Sequence, residues 1–557
     1  MLTDPFLQLP TENSVRVVWF TEFLGSEHRV LYGKNLEYSA TATTTKLSRV
    51  REDYKSKITN YTLSETPLYR DIWKQEAIVT GLTPNQRVPY QVVSSNGTVE
   101  IRSKIFTLAA KPTKEIGLKI LLTSDHQLMP MVAANIQKVA ETIGMIDAVF
   151  FAGDLVNTPD RASEWFDDNR GCAFFPCLQG RAKYELEINE IKTTYRGGEI
   201  IQHAPLFTAM GNHEVMGIFS DEKSLNEQMI NSLPRKIGAN FYDKKNDILN
   251  PLDDTLVKKN WIKDNSFNTD TYEDIFTLPQ SISGGKKYYA VTFGSVRLIV
   301  LFLANMWRPP VISPEVKGKY QEKIADLDSP EKWGYGQHIF EPITQGSDQY
   351  IWLEQELKSE EFCQAKYKIV MCHHPVHTLG GNIVPPYTEP QIRMETNADG
   401  TIQGVHYDYP PENDQIIRDL MPLLENAGVN LVFYGHSHLW NRFVSSKGIN
   451  FLESSNVGNS YGAHLENNPR SVPKDSPFHY AEIGDPNGLE PIVPNIAPLM
   501  DENGQTLPYI ASNEITVFTI LDTGDGSVTS YRFDTNEPNS EVIIFDRLVI
   551  GNSDSYN

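Results

Sequence analysis

Histidines, aspartates and an asparagine gather at the ends of apolar runs along this chain. The clearest case is Leu431–Arg442, LVFYGHSHLWNR. Leu431–Tyr434 reads as a buried strand, and Gly435-His436-Ser437-His438 follows at its end. Residues i and i+2 of an extended backbone face the same side, so both imidazoles can reach one site. Histidine is the commonest metal ligand; a solvated polar turn is the bland alternative, so other ligands must come from elsewhere. Four further runs supply them: LKILLTS ends in Asp125-His126-Gln127, IDAVFFA in Gly153-Asp154, APLFTAM in Gly211-Asn212-His213-Glu214, and KYKIVMC in His373-His374. Each has a bland reading alone, since Asp and Asn start turns and His packs in cores. Together they put potential ligands at the one pole of a sheet where a site must lie. Mixed Asp, Asn and His ligation suits Fe, Zn or Mn, whereas Ca takes an oxygen-only cage. Two such ions sharing a carboxylate, about 3.5–4 Å apart, clamp the attacking and leaving oxygens of a displacement at phosphorus. The glycines before Asp154, Asn212 and His436 permit the sharp turns this needs.

The elements that must position these residues read as an α/β body. Leu118–Thr123 is a near-continuous apolar run, as in a strand buried on both faces. Met131–Ile143 carries Val132, Ile136, Val139 and Ala140 at helical spacing. Ile146–Ala152, Leu206–Met210, Val296–Leu303, Tyr367–Met371 and Leu431–Tyr434 read as further strands, and Asp414–Ala427 as a helix. That alternation predicts a mostly parallel or mixed sheet. Before it, residues 12–110 read as all-β: Ser14–Phe20, His28–Tyr32, Glu76–Gly81, Pro89–Ser94 and Glu100–Leu108, with turn signals such as Asn96-Gly97 between them. Short strands over such a length suggest a sandwich, closed by a linker at Ala109–Glu115. The domains expected are therefore 1–110 and 116–557, the latter ending in a β segment. The N-terminal module holds no cluster of His, Asp or Cys, which favours a structural or docking role. Ser220–Ser283, Pro309–Gln345 and Ile383–Pro411 have weak periodicity and read as inserted loops, either lids or disorder.

Composition bounds the partners. Of 557 residues, 40% are hydrophobic and 22% charged, as in globular proteins, and the net charge of −21 argues against a general nucleic-acid or membrane-surface binder. It leaves room for a small anionic substrate, because a metal inverts the local field. Cys172, Cys177, Cys363 and Cys372 are too few for a disulfide scaffold; a Cys172–Cys177 bridge stays open, and Cys372 reads as a core residue. The first residues show no signal-peptide pattern and no run has the length of a membrane span. A cytoplasmic chain and a trimmed secreted or periplasmic form fit equally, and the oligomeric state is not legible.

The order Asp-x-x, Gly-Asp, Gly-Asn-His-Glu, Val-x-x-His and Gly-His-x-His, over Asp125–His438, resembles that of the calcineurin-like metallophosphoesterases. The Val370–His373 spacing and the Gly-His-Ser-His-Leu-Trp-Asn-Arg run look most like the purple acid phosphatase branch. So does the N-terminal module, whose EAIVTGLTPNQRVPYQV resembles the corner of a fibronectin type III domain. The resemblance implies a metallophosphoesterase sandwich of mixed β-sheets flanked by helices, behind a fibronectin-like β-sandwich. It implies two metal ions bridged by Asp154, the first also held by Asp125 and His438, the second by Asn212, His373 and His436. His213 would face the substrate as proton donor. His374 and His377 are weaker candidates for substrate contact, with packing the alternative, and Arg442 reads as an ion-pair partner. Two positions depart from the pattern. Asn157 stands where the branch carries an iron-binding tyrosine, so a tyrosinate–iron band is expected to be absent. Gln127 stands where the superfamily carries a histidine; its amide is either a replacement ligand or a neighbour of the ligands, and His126 points the other way.

The expected activity is phosphoester hydrolysis by a metal-activated water, on monoesters by the branch resemblance and alternatively on diesters. Trp307, Trp333, Tyr335 and Tyr387 are candidates for a leaving-group pocket, with core or surface roles as the alternative. A non-catalytic binding protein on the same scaffold is the rival from another class.

Overall fold

The computed structural model describes residues 1–551 apart from 60, 98, 189, 383–385, 494–498 and 502. Near its start, alternation along Ser14–Thr21 and Trp73–Thr80 puts Val15, Val17, Trp19, Ala77 and Val79 into one apolar cluster. These two strands pair antiparallel, flanked by Phe6–Gln8 and Thr43–Lys46. A second antiparallel sheet, built on Glu27–Tyr32 and Val88–Asn96, closes the cluster with Val30, Tyr90 and Val92. The N-terminal region is thus all-β, with a core between its two sheets. Its first sheet is covered on the other face too: Phe6, Val18 and Phe20 belong to the core of the body, where Phe20 packs on Phe166 and Phe175.

The body stacks two mixed sheets. The first runs Leu206–Thr208, Ala148–Phe151, Lys119–Thr123, Ile515–Asp522, Ser527–Asp534 and Ile543–Val549 in spatial order; its first three strands are parallel and the rest antiparallel. The second runs Tyr289–Phe293, Val296–Val300, Tyr367–Met371, Leu431–Tyr434, Asn450–Ser454, Trp440–Val444 and Tyr509–Ile510. Its Val296, Tyr367, Leu431 and Asn450 strands are mutually parallel. Period-two alternation divides the second sheet between two cores. Met371, Phe433 and Leu452 join the inner cluster with Leu122, Phe150 and Phe518. Val370, Val432 and Phe451 face outward onto Leu353 and Leu424 of the helices Asp348–Glu356 and Met421–Ala427. Helix Val132–Ile143 buries Ile136 and Val139 against the first sheet's side of the inner core. This is the α/β sandwich of mixed sheets flanked by helices that the motifs imply.

Several local expectations change. The helix expected over Asp414–Ala427 is a π-helical turn, Ile416–Leu420, followed by an α-helix, Met421–Ala427. Pro422 explains the widened turn, since it has no N–H to give the preceding turn. The stretch 220–283 is not a loop: it folds as five short helices, among them Arg235–Asp243 and Thr255–Asp264, because capping residues such as Ser224 and Asp254 start helices that a long-window periodicity misses. In 309–345 the regular structure is two 3-10 turns, Ile324–Asp326 and Pro330–Lys332. The third insertion begins at 383–385, outside the described residues, and continues as a hairpin of Gln391–Thr396 with Ile402–Asp408. Cys172 and Cys177 are both free and buried. Among the described residues no helix is long and apolar enough to cross a membrane.

Candidate metal centre

The five motif turns leave the carboxyl ends of parallel strands and meet between the two sheets. Close approach of turn to turn is what the glycines provide here. A Cβ on Gly211 would lie 2.1 Å from Asp154 Oδ1, and one on Gly435 would lie 2.1 Å from both Asp125 Oδ2 and Ser124 Oγ. Positive φ falls instead largely on the functional residues themselves, at Asp125 (57°), Gln127 (40°), Asp154 (55°), His436 (81°) and His438 (57°). Non-glycine residues held there cluster at functional sites, because only a surrounding network makes the strain tolerable.

That network is on display around Asp154. The backbone N–H groups of Asp154, Leu155 and Gly211 all donate to the Glu214 carboxylate, at 2.8, 2.8 and 2.7 Å. The buried Glu453 does the same for the other sheet: it accepts from the Ser437 N–H, Thr378 Oγ1 and Asn441 Nδ2, at 2.8, 2.9 and 3.0 Å. Burial, with Asp154 nearby, raises the Glu214 carboxyl, while the Leu155 and Gly211 N–H groups favour its charged form. Burial likewise takes Glu453 to about 8. Glu214 belongs to a motif read in the sequence but carried no role there; Glu453 sits in an ordinary strand and left no signal.

The structure brings Asp125, Asp154, His373, His436 and His438 together. Ligand atoms of Asp125, Asp154 and His373 lie within 4.8 Å of one another. His373 Nε2 is 3.1 Å from Asp154 Oδ2, His438 Nε2 is 3.4 Å from Asp125 Oδ1, and His436 Nδ1 is 3.2 Å from His373 Nε2. The His436 N–H donates to Asp125, tying one sheet to the other. His373 Nδ1 donates to the Ala152 carbonyl at 2.8 Å, so Nε2 is the nitrogen turned toward the site. Burial opposes charge on these groups, yet the two aspartates outweigh it and raise His373 to about 10, while His373 and His213 hold Asp154 well below the carboxylate range. The donor set fits metal ions. Asn212 Oδ1 is buried and accepts no hydrogen bond, an orphan of the kind a cation satisfies.

A cavity of about 500 Å³ opens onto this cluster, lined by Gln127, Asp154, Asn212, His213 and His438. His213 donates from Nδ1 to the Asn157 carbonyl at 2.7 Å, and its Nε2 lies 4.0 Å from Asp154 Oδ2. Gln127 turns its amide nitrogen to Asp154 Oδ2 at 2.8 Å. Asn157 Nδ2 donates to the Gln127 carbonyl at 2.6 Å. His126 points away, against Phe151 and Thr123, and burial pushes it down to about 3.

His374, His377 and Arg442 lie off the cavity. His374 stacks under His436 with ring centroids 4.0 Å apart, and meets Tyr387 edge-on. His377 is bound to Asp485 at 2.7 Å and packs on Phe451. Arg442 makes a two-pronged ion pair with Asp546, at 2.9 and 3.0 Å. Of the four aromatic residues considered for the pocket, Trp307 lines it; Trp333 and Tyr335 pack in a satellite core. What the sequence reading missed is cationic: Lys55 and Lys57 of the N-terminal region and Arg170 all line the cavity.

Comparison with known proteins agrees with this construction. The family model described as calcineurin-like phosphoesterase matches residues 118–439, more than half of the chain. No curated protein matches it in sequence. Among solved structures, similarity is found to GAP50, the anchor in the inner membrane complex of Plasmodium. That likeness has 11% identity, 78% of this chain and 89% of that one covered, and a TM-score of 0.32. A dimetal phosphatase from Danio rerio is similar at 10% identity, with 77% and 98% covered and a TM-score of 0.31. Likenesses this distant do not bear on what the chain does; the family match and the ligand cluster do. This chain belongs to the calcineurin-like phosphoesterase family, as a metal-dependent hydrolase of phosphoesters.

Proposed function

We propose that the chain hydrolyses small phosphomonoesters at a two-metal centre, as a purple acid phosphatase-like enzyme with residues 1–110 forming a fibronectin-like module and 116–557 the catalytic unit. One observation carries the reading: the unpartnered Asn212 Oδ1 lines the same cavity as Asp154, His438 and the exposed edge of His213. In this reading Asp154 would be shared by both ions, Asp125 and His438 would hold the first, and Asn212, His373 and His436 the second. A pair of Fe, Zn or Mn ions bound there supplies an acidified water and screens the phosphate's charge. The protein's part is positional. Glu214 and Glu453 hold the ligand turns, and Gln127 orients Asp154 through its amide. The Asn157 carbonyl holds the Nδ1 proton of His213, so the imidazolium form presents its Nε2 proton to a leaving-group oxygen. The cationic lining of the cavity supports a dianionic monoester over a monoanionic diester, and the net charge of −21 disfavours nucleic acid and anionic membranes as partners.

Metal analysis paired with turnover of p-nitrophenyl phosphate and its bis-ester tests this. The expected result is two ions per chain and faster release from the monoester. Full metal occupancy without turnover of either ester would favour a binding protein, and faster release from the bis-ester a phosphodiesterase. His213→Ala is expected to lower turnover about 10²–10⁴-fold with the metal content unchanged. Loss of metal in that variant would make His213 a ligand instead.

A further inference from the structure

We propose that the cavity selects phosphomonoesters whose leaving group carries a second anionic group, a phosphate or a carboxylate, held by the N-terminal region's Lys55 and Lys57. The inference rests on the phosphomonoesterase reading and adds its substrate class. It begins with a charge anomaly. In a chain of net charge −21, the cavity is lined by five cationic side chains and three carboxylates. The commitments of these groups differ. Arg161 is bound by Asp53 and Glu164, and Arg170 by Asp168. Arg308 is spent on the carbonyls of Ser232, Gly334 and Ile230. Glu164 is occupied by Arg161 and the Asn157 and Thr158 N–H groups. Asp154 belongs to the metal cluster. Among the described residues, Lys55 and Lys57 enter no ion pair with a carboxylate. Neither charge is taken up by an ion pair, although the Lys55 ammonium rests over the Tyr54 ring at 5.7 Å from its centroid.

Their backbone is not a loose loop. Asp53, fully buried, bonds Arg161 in the cavity wall, the Leu225 N–H and the Lys55 N–H. Ser56 closes the turn onto Asp53 from both sides. The Lys57 carbonyl accepts from the Asn169 N–H at 2.7 Å, next to Arg170. The segment is thereby fastened to the 157–170 wall, with the Lys55 and Lys57 side chains exposed. A cleft that focuses positive potential beside a phosphate-handling centre raises both capture and affinity for a dianion with a second charge. It does little for a neutral leaving group.

The test uses the metal-loaded full chain and three substrates: butane-1,4-diol monophosphate, the same diol's bisphosphate, and 4-phosphooxybutanoate. Phosphate release gives kcat/KM for each. The wild type is expected to prefer one or both doubly anionic substrates over the monophosphate, with a preference that shrinks as ionic strength rises. In a Lys55→Gln, Lys57→Gln double variant the preference is expected to fall about fivefold, the size two exposed charge pairs sustain. A preference for only one of them assigns the second group as phosphate or carboxylate. No preference in the wild type, or the same preference in the variant, overturns the proposal. Turnover of p-nitrophenyl phosphate by the same preparation keeps the two readings separate. If it is absent, the phosphatase reading fails, and calorimetric titration with butane-1,4-bisphosphonate still decides the wall: weaker binding by the double variant supports it, equal binding overturns it.

Discussion

Asp125, Asp154, His436 and His438 share an unusual backbone state, with φ between 55° and 81°. Each such residue costs about 1–3 kcal/mol unless its surroundings over-determine it. Here they do: the Asp125 N–H goes to the Gly153 carbonyl, that of Asp154 to Glu214, that of His436 to Asp125 and that of Ser437 to Glu453. Gly435 is the tightest point of this arrangement, since its missing side chain leaves room for Asp125. In Gly435→Ala the new methyl group collides with the Asp125 carboxylate, and the two sheets must part there. A shift near 1 Å costs on the order of 100-fold in turnover. The variant is expected to lose that much activity and to bind less metal per chain, with an unchanged circular dichroism spectrum. Full metal content and activity would mean that the turns have slack the structure lacks.

At the scale of elements, a strand delivers a side chain only as accurately as the turn after it is held. Glu214 holds two turns at once, those after Ala148–Phe151 and Leu206–Thr208. A carboxylate can accept all three N–H groups because it has lone pairs on both oxygens. Glu214→Gln keeps the shape but turns an NH2 toward N–H donors, leaving a buried donor unmet at about 1–3 kcal/mol. Lower stability by that amount in urea denaturation is expected, with metal affinity about 10–100-fold weaker. An unchanged urea midpoint would show that the turns hold without it. Next to a ligand in sequence, His374 stacks on His436 and keeps a ring nitrogen within 4.8 Å of those of His373 and His436.

At the scale of the molecule, the N-terminal region is tied to the body by buried charge. Arg51 and Asp160 pair with about 1% exposure each, and Arg70 links Glu52 to Asp167. Such pairs add little net stability, but breaking one leaves an uncompensated charge; their effect is to fix how the two parts sit. Lys74 belongs to this seam, donating to Thr277 at 2.6 Å and pairing with Glu76 at 3.1 Å. Burial lowers its ammonium from 10.5 to about 8 despite Glu76. Below the lower value both folded and unfolded chains are protonated at this site and it contributes no pH dependence. Between the two values the unfolded chain binds more protons, so stability rises with pH. Urea midpoints of the wild type are expected to climb across that window relative to Lys74→Met. Parallel profiles would remove Lys74 from the seam's energetics.

The sequence by itself determined the pole and the chemistry. Strand ends, glycine turns and ligand types are local properties, written within a few residues of one another, and they carried the family, the metal cluster and the alternation of the body. The N-terminal region's β character was legible for the same reason. Tertiary structure alone decided what depends on distant neighbours. Ile515–Asp522 pairs with Lys119–Thr123 across nearly the whole chain, a contact no local period encodes. Likewise Glu453 became the support of the His-x-His turn, and Lys55 and Lys57 became part of the cavity. Their side chains look like ordinary surface charge until a fold made of remote contacts sets them in the same cavity wall as Asp154 and His213. The two histidines of Gly-His-x-His both approach Asp125, not along the extended backbone their spacing suggested but from turns with φ of 81° and 57°. His436 locks onto Asp125 through its backbone, while His438 reaches the same carboxylate with its ring.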